Sequence, residues 1–428
     1  MIDDRAAESI RLSTEFDADF NPATAAAQIV LERASGATLV DTNGHETIDL
    51  VDIIANIGHC HPRHVAALQH ALTQMITGKS GTTNPARARL AQRLVMLTPM
   101  QPGKAYFVSN GSEAMDWAIR IARRATGKHE VLAFWGGVYG RTMGAMSLNG
   151  VTQRRRFGPM MPGTVHAPYP YCYRCPFGKQ PETCGFFCID FLDETLHHAS
   201  AGDVGALVIE PYQGVGGMIF PPDGFLSRLQ EWARANKMAF ILDEVQSSFG
   251  RTGKMFALEW EDLTPEMICV GKGMGSGISI AAVLAETWMF DALAPGELSG
   301  GNGGNPLACT AALTVIDVLE DENLIENAVE IGAYFLERFR RWHEQYDVIG
   351  DVRGKGLALA MEFVRDRVSK EPYREIVQHI SRYCYQQGVY VGGRSHILDV
   401  RPPLVISRDQ AVRAADVMEA ALEDALGA

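Results

Sequence analysis

Lys272 stands in the stretch PEMICVGKGMGSGISIAAVLAE, from Pro265 to Glu286, among apolar residues and four glycines. An amine in apolar surroundings is a candidate nucleophile, because loss of water favours the uncharged form and frees the lone pair that attacks a carbonyl. The other reading is a lysine on a solvated loop, and this segment alone leaves both open. Two carboxylates close other apolar runs. Asp243 ends MAFILD, with Glu244 and Gln246 just beyond it, and Glu210 ends ALVIE in ALVIEPYQGVGG. A carboxylate so placed needs a partner to offset its desolvation, and a protonated heterocyclic nitrogen would serve. A metal-dependent hydrolase could use the same acids, but no histidine pair with ligand spacing accompanies them.

A third element precedes these in the chain. In VSNGSEAMDWAIRIARRATG, Glu113, Asp116, Arg120, Arg123 and Arg124 recur at helical spacing, while Ala114, Trp117, Ala118, Ile121 and Ala122 fill the opposite face. The turn Asn110-Gly111-Ser112 then offers the free amides of a helix start to an anion, although an ordinary N-cap explains it as well. Anion anchor, acid at a strand end, lysine near the next strand: this order suits pyridoxal phosphate. The lysine would carry the cofactor as a Schiff base and move the substrate's α-proton. The acid would keep the ring nitrogen protonated, and the helix start would hold the phosphate.

The elements that must position these groups are legible in outline. KAYFVSN, VLAFWG, GALVIEPY, MAFILDEV and ICVGKG read as buried strands, with amphipathic helices between them. The expected fold class is α/β, a mostly parallel sheet wrapped by helices, with ligands at the carboxyl ends of the strands. From 319 onward a long helix, the strand-like GKGLALAMEFV and a helix from Ser407 predict a smaller α+β domain. Residues 1–60 are too short to fold alone and are expected to join it, leaving 61–318 as the large domain.

Composition excludes several function classes. The chain has 428 residues and a formal net charge of −12. Such acidity argues against a nucleic-acid surface, and the basic clusters at 154–157 and 338–342 read as solvated faces. The first residues, MIDDRAAESI, are acidic where a signal peptide is basic, and no run is long and apolar enough to span a membrane. A cytoplasmic protein is expected. Cys60, Cys269, Cys309 and Cys384 read as small buried hydrophobes. CYRCPFGKQPETCGFFC is different, because Cys172, Cys175, Cys184 and Cys188 have spacing suited to zinc. They read either as a closed structural metal site or as reduced thiols of a surface insertion. No catalytic metal is expected.

With these residues in view, the chain resembles the class III, or ω-amino acid, aminotransferases of the fold-type I pyridoxal-phosphate enzymes. The likeness is carried from about Asp41 onward, by DTNGHETIDL, IGHCHPRHVAAL, SNGSEA, YGRTMGA, IEPYQGVGG, ILDEVQSSFGRTG, GKGMGSG, GGNPLACTAAL, VRGKGLALAMEF and PPLVIS in family order. The resemblance implies a homodimer with active sites at its interface and ping-pong transfer from an amino donor to an oxo acid. It implies Gly111 and Ser112 on the phosphate, Asp243 on the ring nitrogen, Gln246 near the ring hydroxyl and Lys272 as the Schiff-base lysine. Racemases and lyases share the scaffold, and a non-enzymatic binding protein is the rival of another class.

Departures from the family pattern bear on the substrate. In GGVYGRT, Val138 and Tyr139 stand where an aromatic residue and a histidine are usual, so either of them could cover the ring. Arg141 is retained and is expected to take a substrate carboxylate. Gly301 replaces the threonine that reaches the partner subunit's phosphate, leaving that contact to Ser299, to Asn302 or to nothing. The glutamate–arginine gate of aminobutyrate-type members is replaced by Val215 and Asp399. Asp52 also falls where the pocket wall is usually apolar. Asp52 and Asp399 would favour a donor with a second amine and repel a distal carboxylate, unless they are locally paired. Arg394 and Arg401 are further candidates for the carboxylate. The expected substrates are an amine, diamine or ω-amino donor and an oxo acid such as pyruvate.

Overall fold

The structure is a computed structural model that describes residues 4–18, 29–78, 82–155 and 157–427. Arg156, in one of the basic clusters, lies outside the described residues. The chain divides into two compact units, one of Arg63–Ala328 and the other of Met1–Pro62 with Val329–Ala428.

The larger unit is built on a seven-stranded sheet. Its order is Gly103–Val108, Ala281–Glu286, Met267–Val270, Ala239–Asp243, Val204–Ile209, Glu130–Phe134 and Thr164–Ala167. Only Ala281–Glu286 runs against the others, pairing antiparallel with both neighbours. The remaining neighbouring pairs are parallel. The central strands Val204–Ile209, Ala239–Asp243 and Met267–Val270 are buried at every position, which explains their unbroken apolar sequences. Sequence periodicity missed two strands. Ala281–Glu286 follows so closely on the glycine-rich turn that it reads as its tail, and Thr164–Ala167 is short and half polar.

Helix Gly111–Thr126 shows how sequence fixes an element here. The Asn110 side chain accepts from the Glu113 amide, the Glu113 carboxylate accepts from the Ser109 amide, and Gly127 ends the helix in the left-handed region at φ 70°. Its buried face, Ala114, Met115, Trp117, Ala118, Ile121 and Ala122, joins the core cluster that includes Ala206, Val208, Ile241 and Val283.

The smaller unit holds two four-stranded sheets. One has the order Leu31–Ser35, Thr38–Asp41, Glu46–Asp49 and Val389–Tyr390; the other Ile349–Lys355, Ala358–Phe363, Ile397–Val400 and Gly392–Arg394. Helix Arg408–Leu426 begins at a capping box in which Ser407 and Gln410 satisfy each other's backbone amides. Among the described residues, no helix is long and apolar enough to cross a membrane.

Candidate active site

In the larger unit the chemically notable residues come from consecutive strand ends on one edge of the sheet. Lys272 follows Met267–Val270, Asp243 ends Ala239–Asp243, Glu210 follows Val204–Ile209, and the 136–141 loop follows Glu130–Phe134. Helix Gly111–Thr126 starts after the parallel-running Gly103–Val108 and completes the row. A side-chain carbon added at Gly271 would lie 3.4 Å from Val245 Cγ1 and 3.8 Å from the Gly111 amide nitrogen. The turn carrying Lys272, the start of the helix and the loop after Asp243 therefore meet. Lys272 is half-buried and holds the left-handed backbone at φ 43°, a conformation a lysine adopts only where its surroundings impose it.

The two acids are buried beside each other. Asp243 Oδ1 accepts from the Val245 amide at 3.0 Å, and burial lifts its carboxyl to about 6 against the opposing pull of the Lys272 charge. Glu210 is pushed up to about 8 by burial and by repulsion from Asp243, although its oxygens accept from the amides of Val138 at 2.9 Å and Gly214 at 3.1 Å. Glu244, next in sequence to Asp243, does other work. Its carboxylate takes the Ser247 hydroxyl and the amides of Ala257 and Leu258, so it fastens a loop. Gln246 is 8 % exposed, and among the described residues its Nε2 has no hydrogen-bond partner. Gly214 packs so tightly that a side-chain carbon there would fall 1.7 Å from Gln246 Oε1. The sequence motif contains this glycine but gives no sign of that contact.

The 136–145 loop is pinned to the helix start. The Arg141 amide donates to Ser112 Oγ at 3.0 Å and the Ala145 amide to Asp116 Oδ1 at 2.7 Å, while the Arg141 residue itself is exposed. Tyr139 turns inward, 3 % exposed, with its hydroxyl donating to the Val208 carbonyl at 3.2 Å. Its ring belongs to the core and cannot cover a ligand, which corrects the expectation for Tyr139 and leaves half-buried Val138 as the alternative. Ser299 and Asn302 line a cavity of about 280 Å³ with Gly301, Arg87 and Tyr106, and Asn302 Oδ1 accepts from Thr77.

In the smaller unit, the acids expected to draw a second amine have partners of their own. Asp399 is 1 % exposed, with Arg401 Nε at 2.9 Å and Arg394 Nε at 3.4 Å from its Oδ2. The Arg401 contact is an ion pair without hydrogen-bond alignment. Asp52 Oδ1 caps the Ile54 and Ala55 amides, and its Oδ2 lies 3.8 Å from His59 Nε2. His59 Nε2 donates to Asp49 Oδ2 at 2.8 Å, which raises the pKa of the imidazole. Asp399 is thus paired within its own unit, while Asp52 is held by two backbone amides with His59 nearby.

The residues on the strand edge fit pyridoxal phosphate on their own chemistry. Two buried acids beside each other call for a cation, the orphaned Gln246 amide calls for an acceptor, and the first amides of a helix call for an anion. The profile for class III aminotransferases matches residues 20–422. A probable 4-aminobutyrate aminotransferase of Bacillus subtilis is 34 % identical over 91 % of this chain and 92 % of its own length. An alanine/serine racemase of Pyrococcus horikoshii is 32 % identical over 93 % and 86 %. Among solved structures, an (S)-enantioselective ω-transaminase from Thermomicrobium roseum superposes with a TM-score of 0.91, 30 % identity and coverage of 98 % and 99 %. An amine transaminase from an uncultivated Pseudomonas species, solved with pyridoxal phosphate bound, gives 0.87, 30 %, 92 % and 95 %. The fold is that of the fold-type I pyridoxal-phosphate enzymes. This chain belongs to the class III aminotransferase family, and its cofactor is pyridoxal phosphate.

Proposed function

We propose that the enzyme takes an amino group from a primary amine or ω-amino compound and passes it to an oxo acid, with pyruvate the first acceptor to test, in a ping-pong cycle. The observation that carries this reading is the meeting of the Lys272 turn, the Gly111 helix start and the Asp243 strand end. Likeness to an ω-transaminase and an amine transaminase supports the donor class. The pairing of Asp399 with Arg401 and the capping role of Asp52 favour a donor without a second amine.

In this reading Lys272 Nζ binds the cofactor and moves the proton at the substrate carbon. Asp243 would hold a negative charge for a protonated ring nitrogen, and Glu210 holds the Val138 and Gly214 loops. The amides of Gly111 and Ser112 would hold the phosphate, Gln246 Nε2 would donate to the ring hydroxyl, and Val138 would wall the ring. Arg141 binds the acceptor's carboxylate. Bound pyridoxal phosphate supplies the electron sink that stabilises the carbanion left when that proton departs. A homodimer and a cytoplasmic location complete the proposal, the first checked by light scattering on the purified protein.

Half-reactions followed in the cofactor's absorption band provide the functional test. Amines should convert the bound cofactor to its aminated form, and pyruvate should restore it. Inversion of a chiral amino acid with no oxo acid present would favour a racemase, as the Pyrococcus relative's name suggests. Ammonia release without an acceptor would mark a lyase, and absence of a visible band would leave only a binding protein.

A further inference from the structure

We propose that Cys172, Cys175, Cys184 and Cys188 form a tetrathiolate site for one zinc ion, separate from the transamination centre. The spacing is two residues within the first pair and three within the second. The fold brings both pairs to the wall of a single cavity of about 20 Å³, closed by Tyr169, Pro176, Phe177 and Phe187. No three of the four sulfurs lie within 4.8 Å of one another, so an ion would have to gather them. None of the four is in a disulfide.

The backbone around them is built as paired turns. Cys172 opens the short helical turn Cys172–Arg174, the Gly178 amide closes a turn on the Cys175 carbonyl, and the Phe187 amide closes another on the Cys184 carbonyl. Cys188 lies in the first turn of helix Phe187–Ala199, whose preceding Phe186 provides no side-chain cap, so the positive helix end favours a thiolate there. Arg174 and Lys179 supply positive charge beside what would be a dianionic centre.

Four thiolates drawn tetrahedrally around an ion would select zinc and leave no open coordination position, which would make the role structural. Binding would draw each sulfur to about 2.3 Å from the ion and release the thiol protons to solvent. The site would fasten the 172–188 insertion, whose neighbour Tyr169 donates to the Glu210 and Pro211 carbonyls behind the catalytic edge.

The test is elemental analysis of the cofactor-loaded enzyme purified from zinc-supplemented cells. About one zinc per chain is expected, lost in the C184S/C188S variant while the cofactor band remains. If that variant fails to fold, cobalt exchanged into the unaltered protein should give the thiolate-to-metal charge-transfer bands of a tetrahedral site. Enzyme from zinc-supplemented cells that holds no zinc and whose four thiols all react with a disulfide reagent, or zinc retained undiminished in C184S/C188S, would overturn the site. An iron-loaded red protein would overturn the assignment of zinc.

Discussion

The buried carboxylates of the two units are answered in opposite ways. In the smaller unit, Asp399 sits on Arg401 and Arg394, and Glu362 sits on Arg353 at 2.9 Å with His396 at 3.2 Å. At the strand edge of the larger unit, Asp243 and Glu210 both feel the Lys272 charge, and yet both are shifted toward the protonated form. A carboxylate answered by its own chain is part of the architecture, and one whose compensation is incomplete awaits a ligand. Glu244 sharpens the distinction within one edge, because three hydrogen bonds hold it one residue from Asp243.

Replacements on the two sides should therefore fail differently. Lys272→Ala should reduce transamination by roughly three orders of magnitude or more while leaving the melting temperature near that of the parent. Asp243→Asn should lower kcat by roughly 10²-fold or more, through loss of the charge opposite the ring, again with the fold intact. Both outcomes are read from steady-state kinetics beside a thermal melt. Asp399→Asn should invert the pattern. It strands Arg401 and Arg394, costs about 3 kcal/mol of stability in denaturant titrations, and changes kcat/KM for a small amine less than about tenfold.

Acidity offers a second handle on the same contrast. Asp243, Glu244 and Glu210 carry folded-state values of about 6, 7 and 8, above those of free carboxyls. The folded protein without cofactor then binds more protons than the unfolded chain, so its stability falls as pH rises through this window. A cation facing Asp243 relieves part of that loss. The gap in melting temperature between loaded and stripped enzyme should accordingly be wider at pH 8 than at pH 5.5. A smaller effect is expected from Gly214→Ala, whose methyl displaces Gln246. It should cost about 1–3 kcal/mol and speed cofactor loss, measured by dialysis.

Much of the strand edge was legible in the sequence, since Lys272, Asp243, Glu210 and Gly111 each terminate an apolar run or open an amphipathic helix. What escaped depends on which way a side chain faces. Val138 and Tyr139 lie in a loop without periodicity, and only packing against Val208 sends the tyrosine inward. Arg394 and Arg401 are near Asp399 in sequence, but their meeting depends on the hairpin register that sets Gly392 opposite Asp399. The strand Ala281–Glu286 was hidden because a short apolar run behind a glycine-rich turn has no period of its own.

The most direct measurement is borohydride reduction of the cofactor-loaded enzyme followed by peptide mass analysis. Incorporation of the reduced cofactor at Lys272, and its abolition in Lys272→Ala, is the predicted result. Incorporation at another lysine, or none in protein that shows the cofactor band, would contradict the assignment of this strand edge as the catalytic centre.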